Sequence, residues 1–335
     1  VRITDAGANP VPGATVEFSI VAAPLGATGQ TLSAFNVVTD AAGLASTSLT
    51  LGDKVGSYVV EARTAELPSQ ATSFTSVALS GAPALLVAAA GQGQARAVAT
   101  TLDTAFTVRI VDAGGNPIQG CHVSFSITSA PSGAFGQTLS TTFTHTDAGG
   151  NASTVLTLGS KTGTYVVTAV CDTLHGLGIQ FSARATAGAA AAIVAAAGNG
   201  QTGAAGALLP QPFVVRVSDA FGNLVPGASV HFALTSSPAG AEGQALLPAD
   251  VVTDTLGEAR TLFLLGSYPG TYVVTASVTS VPAVQFTAMG TIVLADVNRN
   301  NDVDIADLTS IIDHVLGKIR LTGVDSMRAD VNRDG

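Results

Sequence analysis

Twelve residues, Asp296 to Asp307, carry the side chains in this chain best spaced for chemistry. They set oxygen donors at loop positions 1, 3, 5, 9 and 12: Asp296, Asn298, Asn300, Asp304 and Asp307. Asp302, at position 7, can add its backbone carbonyl. A hard cation such as Ca²⁺ takes six to eight oxygen ligands, and this alternation lets one short loop wrap around it. The pattern begins again at the C-terminus, where Asp330, Asn332 and Asp334 restate positions 1, 3 and 5.

A helix must hold the last donor in place. Leu308, Ile311, Ile312, Val315 and Leu316 follow the i, i+3, i+4, i+7, i+8 spacing of an amphipathic helix, and Gly317 can end it. The segment also differs in composition. Residues 291–335 hold 13 of the 37 charged residues in 45 positions, so they read as a separate module. The simpler reading, an acidic loop ahead of an ordinary helix, would leave the donor spacing, the helix phase and the second copy as coincidence.

The rest of the chain is built on a repeat. DAGANPVPG, DAGGNPIQG and DAFGNLVPG begin at Asp5, Asp112 and Asp219, 107 residues apart. Two further markers keep that step: the pairs Thr39-Asp40, Thr146-Asp147 and Thr253-Asp254, and the Gly-x-Tyr-Val-Val stretches starting at Gly56, Gly163 and Gly270. Phe213, Val215 and Val217 alternate into the third turn, while Val230, Phe232 and Leu234 alternate out of it. Period two is the mark of a strand with one buried face. Each copy therefore reads as two strands joined by a turn, then further strands, and copy one has Ala8 where a left-handed turn prefers Gly.

The expected architecture is all-β: three tandem sandwiches over 1–80, 81–187 and 188–290, then a small helical calcium module over 291–335. The alanine-rich stretches after Gly81 and Gly188 are too short to span a bilayer and read as opening strands, reached with so little linker that a stiff rod is expected. Projecting the period back from Pro83 puts the start of copy one before Val1, so the chain reads as a fragment whose first copy exposes a sheet edge. Any signal peptide would lie upstream. Only 11% of residues are charged and the net charge is −9, which makes nucleic acid and anionic membranes poor partners. The surface of Thr, Ser, Gln and Gly suits a secreted protein.

The turn and core motifs resemble the bacterial Ig-like domains of the invasin and intimin type over residues 1 to about 290. That resemblance implies a cell-surface stalk or adhesin. The tail, from about Leu294, resembles a type I dockerin, a pair of calcium loops each leading into a helix. That second resemblance implies Ca²⁺ as cofactor and a cohesin-like module or scaffold protein as partner, in machinery that degrades polysaccharide. Asn301 stands where the calcium loop normally has Gly, Asn300 removes a charge, and Ile305-Ala306 replace the usual hydroxyl pair. The alternative is a cell-surface adhesin whose tail is a calcium-stabilised cap. Direct polysaccharide binding by the repeats is a third reading, weakened by aromatics that fall on core positions.

Cys121 and Cys171 share the parity of core residues in copy two and read as a disulfide between its two sheets, or else as two buried thiols. The histidines His122, His145, His175, His231 and His314 are scattered, and no Ser or Cys has a paired base, so no enzyme activity is expected within these residues.

Overall fold

A computed structural model of the chain describes every residue except 68, 175, 177, 293, 299–302, 323 and 330–335. It is built almost wholly of strands, with two short helices near the C-terminus. The chain divides into two compact units, one of Val1–Gly159 with Gly163–Arg184, the other of Ser160–Thr162 with Ala185–Gly335.

The third repeat shows the plan. One sheet runs Ala190–Ala197, Phe213–Asp219, Glu258–Leu264, Ala245–Leu247; the other runs Gln201–Ala204, Val284–Thr291, Gly270–Ser277, Ser229–Ser236, Asp250–Val252. The alternating residues of both sheets meet in one core that includes Phe213, Val215, Val217, Phe232, Phe263, Tyr272 and Phe286. Phe213 stacks on Phe286 with ring centroids 4.7 Å apart. Tyr272 is fully buried, and its hydroxyl donates to the Tyr268 carbonyl at 2.6 Å, so the core keeps a polar group without leaving it unpaired.

The repeated turn is held by its leading aspartate. Asp219 Oδ1 accepts from the amides of Phe221 and Asn223, and Oδ2 accepts from Gly188 N, all at 2.9 Å. Asp112 holds Gly114, Asn116 and Gly81 in the same way. Asp5 holds Gly7 and Asn9 and is exposed. Ala8 adopts φ 66° where Gly115 and Gly222 adopt 77° and 75°, so the first copy keeps the same turn with a strained residue. The second marker is explained as well. Thr146 Oγ1 accepts from Cys121 N at 2.9 Å and donates to Ile118 O at 2.6 Å, tying the two turns together, while Asp147 caps the amides of Gly149 and Asn151.

The alanine-rich stretches are strands, Leu85–Ala90 and Ala190–Ala197, each antiparallel to the strand before the repeated turn. A further strand follows each. Gly91 and Gly198, at φ 93° and 85°, let the chain leave one sheet so that Gln94–Ala97 and Gln201–Ala204 join the other. A Cβ at Gly198 would lie 2.1 Å from Pro212 O, so only glycine fits the crossing. In the first repeat the strand Ala71–Ala78 ends its sheet, next to Gly56–Thr64 alone. Phe74 there is 46% exposed, whereas Phe181 and Phe286 on the corresponding strands are fully buried. Burying a Phe stabilises by about 1.5–3 kcal/mol, a contribution that Phe181 and Phe286 make and Phe74 does not.

Asn116 of the second repeat's turn reaches back to the first repeat. Its Nδ2 donates to Asp53 O at 2.8 Å, its Oδ1 accepts from Val55 N at 3.0 Å, and Lys54 Nζ donates to Gly114 O. Within the second unit, Asn223 grips Ser160–Thr162 through the same atoms.

Candidate functional site

The oxygen-rich loop is built around Asp307. This residue is buried, lies in the first turn of helix α1 (Ile305–Val315), and accepts from the amides of Val297 at 2.7 Å, Asn298 at 2.9 Å and Asp304 at 3.0 Å. Loop position 12 is thereby drawn against positions 2, 3 and 9. Asp304 caps the helix, with Oδ1 accepting from Ala306 N at 2.8 Å, and Asp307 completes a reciprocal capping box. Amide hydrogen bonds, foremost that from Asn298, then those from Asp304 and Val297, hold the Asp307 carboxyl below the usual carboxylate range against its burial.

Asp296 is also buried, and sequence reasoning missed its partner. Arg328, on helix α2 (Val324–Ala329), is 1% exposed and donates from Nη1 to Asp296 Oδ2 at 2.5 Å and to Asp296 O at 3.0 Å. Its Nη2 reaches Ala205 O at 3.3 Å, so the tail is tied to the third repeat by a guanidinium. The fork of five donors suits arginine to bridge a carboxylate and backbone carbonyls at once. An arginine among 13 charged tail residues carries no sequence signal of burial.

Of the expected calcium ligands, Asp307 bonds to the backbone amides of Asn298 and Asp304, and Asp296 is held by Arg328. Asn300, Asp302, Asp330, Asn332 and Asp334 lie outside the described residues. Among the described residues, no group of three or more His, Cys, Asp or Glu is placed to hold a metal ion together. Helix α1 ends at Val315 and is followed by Leu316 as its cap and Gly317 at φ 70°, the glycine its sequence predicts as the stop, but its apolar side is open: Leu308, Ile312 and Val315 are 54%, 46% and 77% exposed.

The cysteines require a correction. Cys121 immediately precedes the strand His122–Ser129, which pairs with Gly163–Cys171 in the register Val123↔Cys171. Both residues therefore belong to one sheet and do not join two. Both are buried free thiols, and Cys171 Sγ lies 3.1 Å from Thr173 Oγ1. Burial, and then the neighbouring Cys171 thiol, pushes the Cys121 thiol pKa up, which keeps it protonated.

The turn aspartates behave as structural acceptors. Burial raises the pKa of Asp112 and Asp219, but the hydrogen bonds from Asn116 and Gly81, and from Asn223 and Gly188, outweigh it and leave both below the usual range. The histidines are less scattered than they read in sequence, since His122 pairs directly with His145 across neighbouring strands.

No protein-family model matches the chain. The inverse autotransporter adhesin YeeJ of Escherichia coli strain K12 is 32% identical over 291 residues, 83% of this chain, and the chain spans 11% of that protein. Among solved structures, the Escherichia coli adhesin FdeC is similar over 85% of this chain and 90% of its own, at 21% identity and a TM-score of 0.53. Yersinia pseudotuberculosis InvD covers 87% of this chain and 91% of its own at 19% identity, with a TM-score of 0.45. These findings overturn the expectation of a dockerin that attaches to a cohesin in polysaccharide-degrading machinery: the relatives are adhesins, and Arg328 ties the tail to the sandwich beside it. The chain carries bacterial Ig-like domains with the fold seen in adhesins of the invasin and intimin type.

Proposed function

We propose that this chain is a stretch of an extracellular or cell-surface adhesin. Three Ig-like sandwiches, over residues 1–80, 81–187 and 188–290, form an array that contacts a host or neighbouring cell, and the tail caps the third. The likeness to an adhesin over 83% of the chain carries this reading. The test coats beads with this chain and counts those retained on epithelial cells and on a bacterial lawn. Several-fold more retention than beads bearing an unrelated Ig-like array of equal length is the expected result. Equal retention would reduce the array to a spacer.

Calcium belongs to the cap in this reading. Asp296, Asn298, Asn300, Asp304 and Asp307 would hold the ion with the Asp302 carbonyl, and the ion would neutralise carboxylates that the loop crowds together. The position of Asp307 against both ends of the loop supports this, as does the burial of Asp296. Asp296 would then divide its carboxylate between the ion and Arg328. A ligand at a hundred times its Kd stabilises the folded state by about 2.7 kcal/mol. Scanning calorimetry of the whole chain should show one transition that rises with Ca²⁺ and falls with chelator, and Asp307→Ala should abolish the shift. A thermogram unchanged by calcium would remove the ion from the proposal and leave the adhesin reading standing.

A further inference from the structure

The second repeat carries a row of side chains found in neither of the others. His145, on the strand Phe143–His145, stands directly opposite His122, on His122–Ser129. Directly paired residues project from the same face of a sheet. Val123 is buried, so this is the outer face, and His145 is exposed while His122 is 40% exposed in its side chain. The two rings have centroids 5.4 Å apart at an interplanar angle of 68°. Beyond His122, on the next strand's exit, Asp172 Oδ2 lies 2.6 Å from His122 Nδ1. Phe143 lies against the His122 ring as well, with centroids 5.8 Å apart.

We infer that His145 and His122 form a surface site for a divalent transition-metal ion, with Zn²⁺ as its representative, and that Asp172 positions His122 for it. A carboxylate only accepts, so the bond to Asp172 places a proton on His122 Nδ1, and in the neutral ring Nε2 is then the nitrogen with the lone pair to coordinate. This is the carboxylate–histidine arrangement that orients imidazole ligands in metal sites. Two imidazoles on one tetrahedral ion, with Zn–N of about 2.0–2.1 Å, bring their ring centroids to about 5 Å apart. The observed separation already matches. Two protein ligands leave two positions for water or for a donor from a partner. Hard cations prefer oxygen, so Ca²⁺ and Mg²⁺ do not compete here.

The other repeats act as internal controls. Their registers at this place are Thr15↔Val38 and Ser229↔Val252, and Ala65 and Thr279 stand where Asp172 does. The third repeat also has a histidine–carboxylate pair, His231 Nδ1 to Asp250 Oδ1 at 2.7 Å, without a second imidazole opposite. A His–Asp pair alone is therefore present on the same molecule and should not hold the ion.

The test is Zn²⁺ titration of the whole chain in calcium-saturated buffer, in competition with a chromophoric chelator. One equivalent should bind, and His145→Gln or His122→Gln should each weaken it at least ten-fold. Asp172→Asn should weaken it about 10- to 100-fold, the range for loss of such a partner. The His122 and His145 ring resonances should shift on binding while those of His231 do not. Replacing both cysteines by serine should change nothing, because the thiols are buried behind the sheet. These histidines and Asp172 lie at the surface, so unchanged thermal melting will certify the variants as folded. Affinity kept within two-fold in His145→Gln, or a shift of His231 equal to that of His122, would overturn the inference.

Discussion

The repeated turn predicts a difference between two chemically identical substitutions. In Asp219→Ala, four donors lose their acceptor: the amides of Gly188, Phe221 and Asn223, and Asn223 Nδ2. Asp219 is 4% exposed and Asn223 is 7% exposed, so water cannot simply replace the carboxylate. A buried donor left unsatisfied costs about 1–3 kcal/mol, and partial relaxation of the two less buried amides brings the total to about 3–4 kcal/mol. At 1.4 kcal/mol per power of ten, that is a loss of roughly 300-fold in protection against hydrogen exchange. The assay is native-state exchange read at Val217 and Val225, whose amides bond to Gly257 O and Val217 O around the same turn. Asp5→Ala removes an exposed carboxylate that holds only Gly7 and Asn9, and water can take its place. Exchange in the first repeat should rise less than ten-fold. Equal losses in the two variants would refute the claim that burial, and not the turn motif itself, sets the value of this aspartate.

Three further outcomes follow from the same geometry. Asp112 and Asp219 have folded pKa values below that of an unfolded aspartate, so they favour the folded state fully above about pH 4, and their contribution disappears as pH falls through the folded values. Acid titration followed by exchange should therefore weaken their two turns below pH 4, and protection that stays constant into that range would contradict it. Arg328→Ala leaves the buried Asp296 without its guanidinium, which costs about 3–5 kcal/mol; limited proteolysis should then release the tail while the sandwiches stay intact. Asn116→Ala removes the bonds to Asp53 O and Val55 N, and exchange should quicken at Asp53–Val55 without quickening at Phe125, buried in the middle of the strand His122–Ser129.

Much of the fold was legible in the residues because it rests on local rules. The 107-residue step, the parity of Phe213, Val215 and Val217, and the Gly and Asn of the turns each report backbone geometry within a few residues, and the strands and turns stand where those residues predict. The helix after Asp304 was readable from its apolar phase for the same reason, whereas the cap that Asp304 forms was not. The sheet-switching strands Gln94–Ala97 and Gln201–Ala204 were not read, since their four residues carry no alternation and their place depends on a distant partner, for Gln201–Ala204 a parallel strand about 87 residues away.

The sites divide along the same line. Sequence by itself determined the spacing of the oxygen-bearing residues from Asp296 to Asp307, because they lie within twelve consecutive residues, and the cation they would surround is proposed from that spacing. Only the tertiary structure decided that Arg328 closes onto Asp296, that both cysteines lie in one sheet, and that His145 meets His122 with Asp172 beside it. Those residues are separated by 32, 50, 23 and 50 positions and are joined by strand register or helix docking. Register is set by the whole buried face of a sheet acting together, and a one-residue slip would turn each of these side chains to the opposite side.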